Sequence, residues 1–273
     1  MSCERCGAAT TDPWPSPETL ATAYAGWYRP PGGRFGGPGD ALLRRSRATL
    51  ARRLDRIAPA GPVLDVGAGD GTLLDALRRR GREAIGLELE STRADVRAAD
   101  IEEIEESGFA AVVFWHSLEH LARPAAALVR AAELLAPGGV LVVAVPNSTS
   151  VQARVFGDRW LALDLPRHLV HLPAAALLRR LSDLHLLVTR TSYLRGGQGA
   201  FGWLHGFVGW LPGVPDLYDA IRRPAARRKP LSRRQRTYML VVAAAFAPLA
   251  LAASVVEAAL RRGGTLYVEA RRD

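Results

Sequence analysis

Cysteine is nearly absent from this 273-residue chain. Cys3 and Cys6, the two it has, form one CxxC at the N-terminus and cannot staple distant parts of a fold, so nothing points to an oxidising compartment. Two thiolates also fall short of the four that close a structural zinc site, and no metal is expected there. Lysine is scarcer still: Lys229 stands alone among 36 basic residues, a bias that reflects base composition of the coding DNA. Met1 to Pro17 has no apolar core, so a secretory leader is not expected. Acids are missing from Arg222 to Arg236, where eight basic residues stand. That stretch accounts for most of the formal charge of +9, the rest of the chain is close to neutral, and no nucleic-acid partner is expected.

One further absence lies inside the stretch around which the chain is organised. Val63 to Val66 is a short aliphatic run, Gly67, Gly69 and Gly71 follow at alternate positions, and a leucine-rich pattern comes next: strand, tight loop, helix. Glycine serves there because the backbone must turn with positive φ and no Cβ can stand between it and a close ligand. A dinucleotide fingerprint, GxGxxG, would place its third glycine at Thr72, which is not glycine. Asp65 and Asp70 beside the loop would repel a diphosphate and suit a ligand that carries an ammonium group.

This run resembles motif I of the class I S-adenosylmethionine-dependent methyltransferases. A second block, His116-Ser117-Leu118-Glu119-His120-Leu121 through Pro137-Gly138-Gly139 to Pro146-Asn147, is similar to the region around strands four and five of the same family. The resemblance covers about residues 60 to 195 and the final strand. It implies S-adenosylmethionine as methyl donor, held by Asp65, Gly67, Ala68, Gly69 and Gly71, with Glu88 and Leu89 at the ribose and Asp100 and Ile101 at the adenine. Glu90 is a competitor of Glu88. Glu88 and Asp100 are only twelve positions apart, so the intervening helix is expected to be vestigial.

The pattern predicts an α/β fold: a Rossmann-like seven-stranded, mostly parallel sheet with helices on both faces and an apolar helical insertion between strands six and seven. Strands are expected at 63–66, 83–89, 96–99, 110–115, 140–145, 186–193 and 264–270, the last antiparallel beside the sixth. Helices are expected at 72–80, from Pro124 to about Leu135, and from Pro173 to about Leu184. Upstream, Ser16 should cap a helix to Tyr28, whose Tyr24, Trp27 and Tyr28 form a lid or cover the sheet edge. Gly32 to Gly39 reads as a hinge, and Asp40 as the cap of a helix with Leu42, Leu43, Leu50, Leu54 and Ile57 on one face. The expected domains are a lid with the CxxC over 1–39, the cofactor-binding core over 40–195, the insertion over 196–262 and the last strand over 263–273.

Methyl transfer needs the nucleophile held in line, and an oxygen nucleophile also needs a base. His116, Glu119 and His120 would share a face on a helix, and His168 lies in the Asp164-Leu165-Pro166-Arg167-His168-Leu169 segment expected over the acceptor side. These four are the catalytic candidates, His116 also touching the cofactor. Glu119 and His120 have a structural alternative, bracing the loop. The His-x-x-Glu-His spacing also fits an inverted zinc-protease signature, which its position after a parallel strand argues against. In related ubiquinone-pathway O-methyltransferases this block can hold a divalent ion, so a metal is possible here but not favoured.

Met239 to Val256 is eighteen residues without a charge, and Phe201 to Val214 is a second apolar stretch with Trp203 and Trp210. A single bilayer crossing would strand the last strand away from its sheet, and two would carry the basic stretch across. Two readings remain: residues 201–256 meet a membrane surface or anionic lipid, or they form a core or dimer helix. The expected protein is cytoplasmic, associated peripherally with the inner face of the membrane, and methylates an oxygen of a small lipid-linked, prenylated or glycosidic acceptor. The alternatives are a nicotinamide-dependent oxidoreductase and a non-catalytic cofactor-binding protein.

Overall fold

The chain opens with a two-residue strand, β1 (Ala9–Thr10), and a helix, α1 (Pro17–Tyr24), whose cap Ser16 accepts a hydrogen bond from the Thr19 amide. In this computed structural model the described residues are 1–25, 35–89, 91, 93–194, 197–224 and 227–273. Trp27, Tyr28, Glu90 and the first three residues of the expected hinge lie outside them, whereas its last three, Gly37 to Gly39, open the next helix and are not a hinge. The next helix, α2 (Gly37–Ile57), begins before Asp40, which instead reaches back from the first turn to the amides of Phe35 and Gly36. Leu50 and Leu54 of α2 are fully buried, but Leu42 and Leu43 are 66% and 38% exposed. The expected single apolar face is therefore corrected, because the first turns of α2 do not pack into the core.

The cofactor-type unit follows: β2 (Val63–Val66), α3 (Thr72–Arg78), β3 (Ala84–Glu88) and β4 (Val96–Ala98). Among the described residues no α-helix separates β3 from β4, in keeping with the short spacing. Then come β5 (Phe109–Trp115), α4 (Pro124–Leu134) and β6 (Leu135–Pro146). Strand β6 starts earlier than the expected Val140. Leu135 already pairs with Phe109, and the Pro137-Gly138-Gly139 turn lies within the strand as an irregularity of register. After β6 stand α5 (Val151–Phe156), β7 (Val170–His171), α6 (Ala174–Asp183), β8 (Leu186–Ser192), α7 (Gln198–Gly209), α8 (Leu217–Ile221), α9 (Arg233–Ala259) and β9 (Thr265–Arg272).

Seven strands form one sheet in the order β4-β3-β2-β5-β6-β9-β8. All neighbours are parallel except β9, which runs antiparallel between β6 and β8. Side chains alternate between faces along each strand, and the core divides accordingly. Leu64, Val66, Val112, Phe114, Leu141 and Val143 pack on α4 and α6, whereas Val63, Ala111, Val113, Val140 and Val142 pack on α2 and α3. Each fully buried leucine there contributes roughly 1.5–3 kcal/mol of transfer free energy.

The strand order reverses at β2, which pairs with β3 on one side and β5 on the other. Val66 stands level with both Leu87 and Phe114, so the loops leaving these three strands diverge from a common edge and leave a crevice. The sheet's one unforeseen companion is a two-stranded pair: β1 lies antiparallel to β7, docking the N-terminal segment beside that edge.

Candidate active site

Two loops face each other across the reversal point. After β2, Gly67, Gly69 and Gly71 have φ of 80°, 62° and 71°, the left-handed conformation that an ordinary side chain resists. After β5, Ser117 donates its hydroxyl to the Val66 carbonyl, and a Cβ built on Gly67 would overlap the Cβ of Ser117. The two motifs, far apart in sequence, are thus in direct contact.

The glycine loop is bracketed by acids. Glu88, at the end of β3, accepts from the Gly69 amide at 2.9 Å and the Leu89 amide at 3.2 Å. Asp65 is buried, 3% exposed, on the α2 side of the sheet. Burial pushes its carboxyl up to about 7, with Arg47 of α2 working against that and Glu88 and Asp70 adding to it. Arg47 also lies over the Trp115 ring, 4.9 Å from its centroid. On the outer side, Arg93 donates to the Asp70 carbonyl at 3.1 Å and pairs with Asp75 and Asp95. A buried acid, Asp65, and a half-buried one, Glu88, beside a left-handed glycine turn with no room for a side chain at Gly67 fit the cationic methionyl end and the ribose of S-adenosylmethionine. The residues that would hold it are Asp65, Gly67, Ala68, Gly69, Gly71 and Glu88. Leu89 stands 68% exposed next to Glu88. Asp100 caps the 3-10 turn Ile101–Glu103 with its side chain, and Ile101 is fully buried in the core. The turn that carries Ile101 packs against α4.

The second loop is not the α-helix on which His116, Glu119 and His120 were expected to share a face. His116 takes a left-handed turn with φ 54°, and Leu118–His120 is a single 3-10 turn. The residues converge nonetheless. Glu119 is 2% exposed, and His116 Nδ1 and His168 Nε2 lie 3.4 and 4.0 Å from its Oε1. Neither Glu119 oxygen has a hydrogen-bond partner within bonding geometry among the described residues, nor does the buried His116 Nε2. Burial would raise the Glu119 carboxyl, yet His116, with His168 and His120, outweighs it and holds the group below the ordinary range. His120 is lowered to about 4, chiefly by burial, so it is neutral at physiological pH.

Hydrogen bonds assign the tautomers. His168 Nδ1 lies 2.8 Å from the Ala162 carbonyl and His120 Nδ1 lies 2.9 Å from the Arg167 carbonyl, so each donates from Nδ1 and keeps Nε2 as an acceptor. The rings meet edge to face at 4.7 Å. Asp164, itself left-handed, holds Arg167 and so braces the loop that carries His168. Glu119, His120 and His168 together offer three metal-ligand atoms within 4.8 Å of one another. Their carbonyl-bonded Nδ1 groups are the outer support that ligating histidines usually have.

Tyr24 was one of several lid aromatics in the sequence; its hydroxyl lies 2.8 Å from His120 Nδ1. Thr11 donates to the His168 carbonyl at 2.6 Å, so the N-terminal segment is docked beside that histidine. Sequence reasoning missed Thr11, Arg47 and Ser117. No local pattern marks them, since each acts across a long separation.

A family profile described as Methyltransferase domain matches residues 41–189. The chain belongs to this family, the class I S-adenosylmethionine-dependent methyltransferases, and its methyl donor is S-adenosylmethionine. The nicotinamide alternative is thereby set aside. A curated relative, the ubiquinone biosynthesis O-methyltransferase of Xanthomonas campestris pv. campestris strain B100, is 32% identical over 143 residues, which is 44% of this chain and 60% of the relative. The chain thus spans about three-fifths of that relative's length. The protein of the same name from Xylella fastidiosa strain M23 is 29% identical over 170 residues, 55% of this chain and 67% of the relative. Among solved structures, the cyclase SpnF aligns with a TM-score of 0.53 at 17% identity, covering 93% of each chain. A SAM-dependent methyltransferase from Archaeoglobus fulgidus aligns with a TM-score of 0.50 at 16% identity, covering 86% of this chain and all of that one. At such identity these two show the fold, and a cyclase among them shows that the fold alone does not set the reaction.

Proposed function

We propose that the protein transfers the methyl group to an oxygen of a small lipid-linked, prenylated or glycosidic acceptor, and that it works in the cytoplasm at the inner face of the membrane. The observation that carries the reading is the seating of Ser117 on Gly67, which sets His116, Glu119 and His168 beside the donor loop. The O-methyltransferase names of the relatives support oxygen as the accepting atom.

When bound, S-adenosylmethionine supplies a methyl group on a positively charged sulfur. Charge disperses in such a displacement, so the protein's main task is alignment. In this reading the histidines have separate tasks. His168 Nε2, with its Nδ1 committed to Ala162, is placed to take the acceptor's hydroxyl proton. Glu119, kept ionised 4.0 Å away, stabilises the imidazolium that results. His120 at about 4 is too weak a base for that work and instead shares its Nδ1 proton between the Arg167 carbonyl and the Tyr24 hydroxyl oxygen as a positioning residue. His116, at the turn nearest the donor loop, orients Glu119.

A second reading has its own observation: the ligand-like group Glu119, His120 and His168. A divalent ion there would lower the acceptor's pKa in place of a histidine base. The test is methyl transfer from labelled donor into a lipid extract, with and without a chelator. His168→Ala should lower kcat by about 10²–10⁴-fold, while affinity for S-adenosylhomocysteine, read by calorimetry, stays unchanged. Normal turnover in that variant removes the histidine base, and activity abolished by chelator and restored by added metal favours the second reading. No transfer into any extract, with cofactor bound, leaves a non-catalytic binder.

A further inference from the structure

Helix α9 violates the usual relation between composition and exposure. From Thr237 to Val256 it carries twenty residues without a charge, about 30 Å of helix at 1.5 Å per residue. Only 22% of its most apolar window is buried. Met239, Ala243 and Ala250 pack toward α7 and α8, while Val241, Leu249, Leu251, Val255 and Val256 on the other side are 49–63% exposed. A helix that is apolar all round and largely uncovered has a non-aqueous neighbour.

We propose that α9 lies in the plane of an anionic phospholipid leaflet, docking the protein there with the acceptor side of its active site next to the lipid. This deepens the membrane part of the proposed function and is independent of the reaction itself. Charge identifies the occupant. Arg233, Arg234 and Arg236 are exposed at the start of α9, and Arg261 and Arg262 are exposed just past its end. No acid lies between Asp219 and Glu257, and Glu257 is buried. A second copy packed on this face, parallel or antiparallel, would bring arginine against arginine, whereas anionic headgroups at both ends of an apolar helix satisfy all of them. Tyr238 and Trp210, each more than half exposed, suit the same headgroup level.

Spanning is excluded by connectivity. β9 begins at Thr265, six residues after α9 ends, and sits in the sheet between β6 and β8. Buried polar contacts fix the end of the helix to the core: Glu257 Oε1 accepts from Gln152 Nε2 at 2.6 Å and from the Gly264 amide at 3.0 Å. The route from α9 to the site is short. Phe246 packs tilted against Phe207, Phe207 meets Phe156 edge to face, and Trp160 joins the same cluster. The adjoining Ala162 carbonyl holds His168. An amphiphile drawn from the leaflet therefore has its tail region beside α9 and its reacting end near His168.

The experiment is flotation of the full chain with vesicles of phosphatidylcholine alone or mixed with phosphatidylglycerol. Binding to the mixed vesicles, weakened by salt, is expected. Leu249→Glu with Val256→Glu, and separately Arg233→Gln with Arg234→Gln and Arg236→Gln, should each weaken partition by at least about tenfold. Unchanged circular dichroism and S-adenosylhomocysteine affinity would show that these surface variants still fold. Failure of the wild type to float with anionic vesicles, or undiminished partition of both variants, overturns the proposal. So does a dimer in vesicle-free buffer that the Leu249→Glu, Val256→Glu variant dissolves, since the face would then belong to a second copy. Loss of methyl transfer with partition intact counts against the catalytic reading alone.

Discussion

The carboxyl edge of the sheet and helix α9 break the same rule in opposite directions. At the edge, Asp65, Glu119 and His168 are each less than a tenth exposed, although charged groups belong in water. Along α9, leucines and valines stand in water although they belong in a core. Each inversion costs free energy that the fold alone does not recover: desolvation of charge in one region, unburied apolar surface in the other. In the proposed function a ligand relieves the first and a lipid surface the second. The two regions should therefore respond differently to substitution, the first through chemistry and cofactor affinity, the second hardly at all in the absence of vesicles.

The sharpest contrast comes from Gly67→Ala against any exposed change in α9. The added Cβ meets Ser117 at a backbone φ of 80°, so the two loops must part. Cofactor affinity should fall by about 100-fold or more, with about 1–3 kcal/mol of strain, as read by calorimetry and thermal melting. Normal affinity would mean that the contact between the loops does not shape the site.

Next in size is the pH response of Asp65. Its folded pKa of about 7 exceeds the ordinary 3.8, so between those values the folded state binds more protons than the unfolded one. Stability of the free protein should thus fall as pH rises from about 4 to 7. Affinity for the cationic donor requires the ionised carboxylate and should move the other way, declining by up to about tenfold per pH unit below 7. Asp65→Asn should flatten both profiles while weakening the donor. Matching slopes in wild type and variant would dissociate Asp65 from the ammonium group.

Tyr24→Phe removes the hydroxyl that meets His120 at 2.8 Å. It should cost about 0.5–1.5 kcal/mol, and lower kcat modestly without altering donor affinity, as melting and steady-state kinetics would show. The smallest effect belongs to α9: Leu251→Ser, at an exposed position, should shift stability in detergent-free buffer by no more than about 0.5 kcal/mol. A larger loss there would make α9 a core element and erase the contrast.

How much of this could be read from sequence varied with range. β2 runs from Val63 to Val66 as expected, Ser16 caps α1, and the strand after the basic insertion completes the sheet. These follow from local patterns: side-chain alternation, capping residues and glycine punctuation. The β1–β7 pair did not announce itself, because two residues carry no period. The early start of β6 was hidden by Pro137-Gly138-Gly139, which reads locally as a stop. Leu42 and Leu43 obeyed the helical period yet stand exposed among the described residues. For the candidate site, the residue types were legible and the arrangement was not: spacing suggested a helix face for His116, Glu119 and His120, and the backbone brought them together through a left-handed residue and a 3-10 turn.

Sequence by itself determined that a strand would deliver the chain into an acid-flanked glycine turn, since alternation, positive φ and charge are properties of neighbouring residues. It also determined that an uncharged eighteen-residue run could not cross a bilayer alone, since a strand had to return to the sheet. Only tertiary structure decided how each histidine is buried and hydrogen-bonded and which side of α9 faces outward. Both depend on what packs against a group: burial takes His120 down to about 4, while the carbonyl of Ala162 leaves His168 its free nitrogen. Desolvation and contact are set by residues distant in the chain, and no local pattern encodes them.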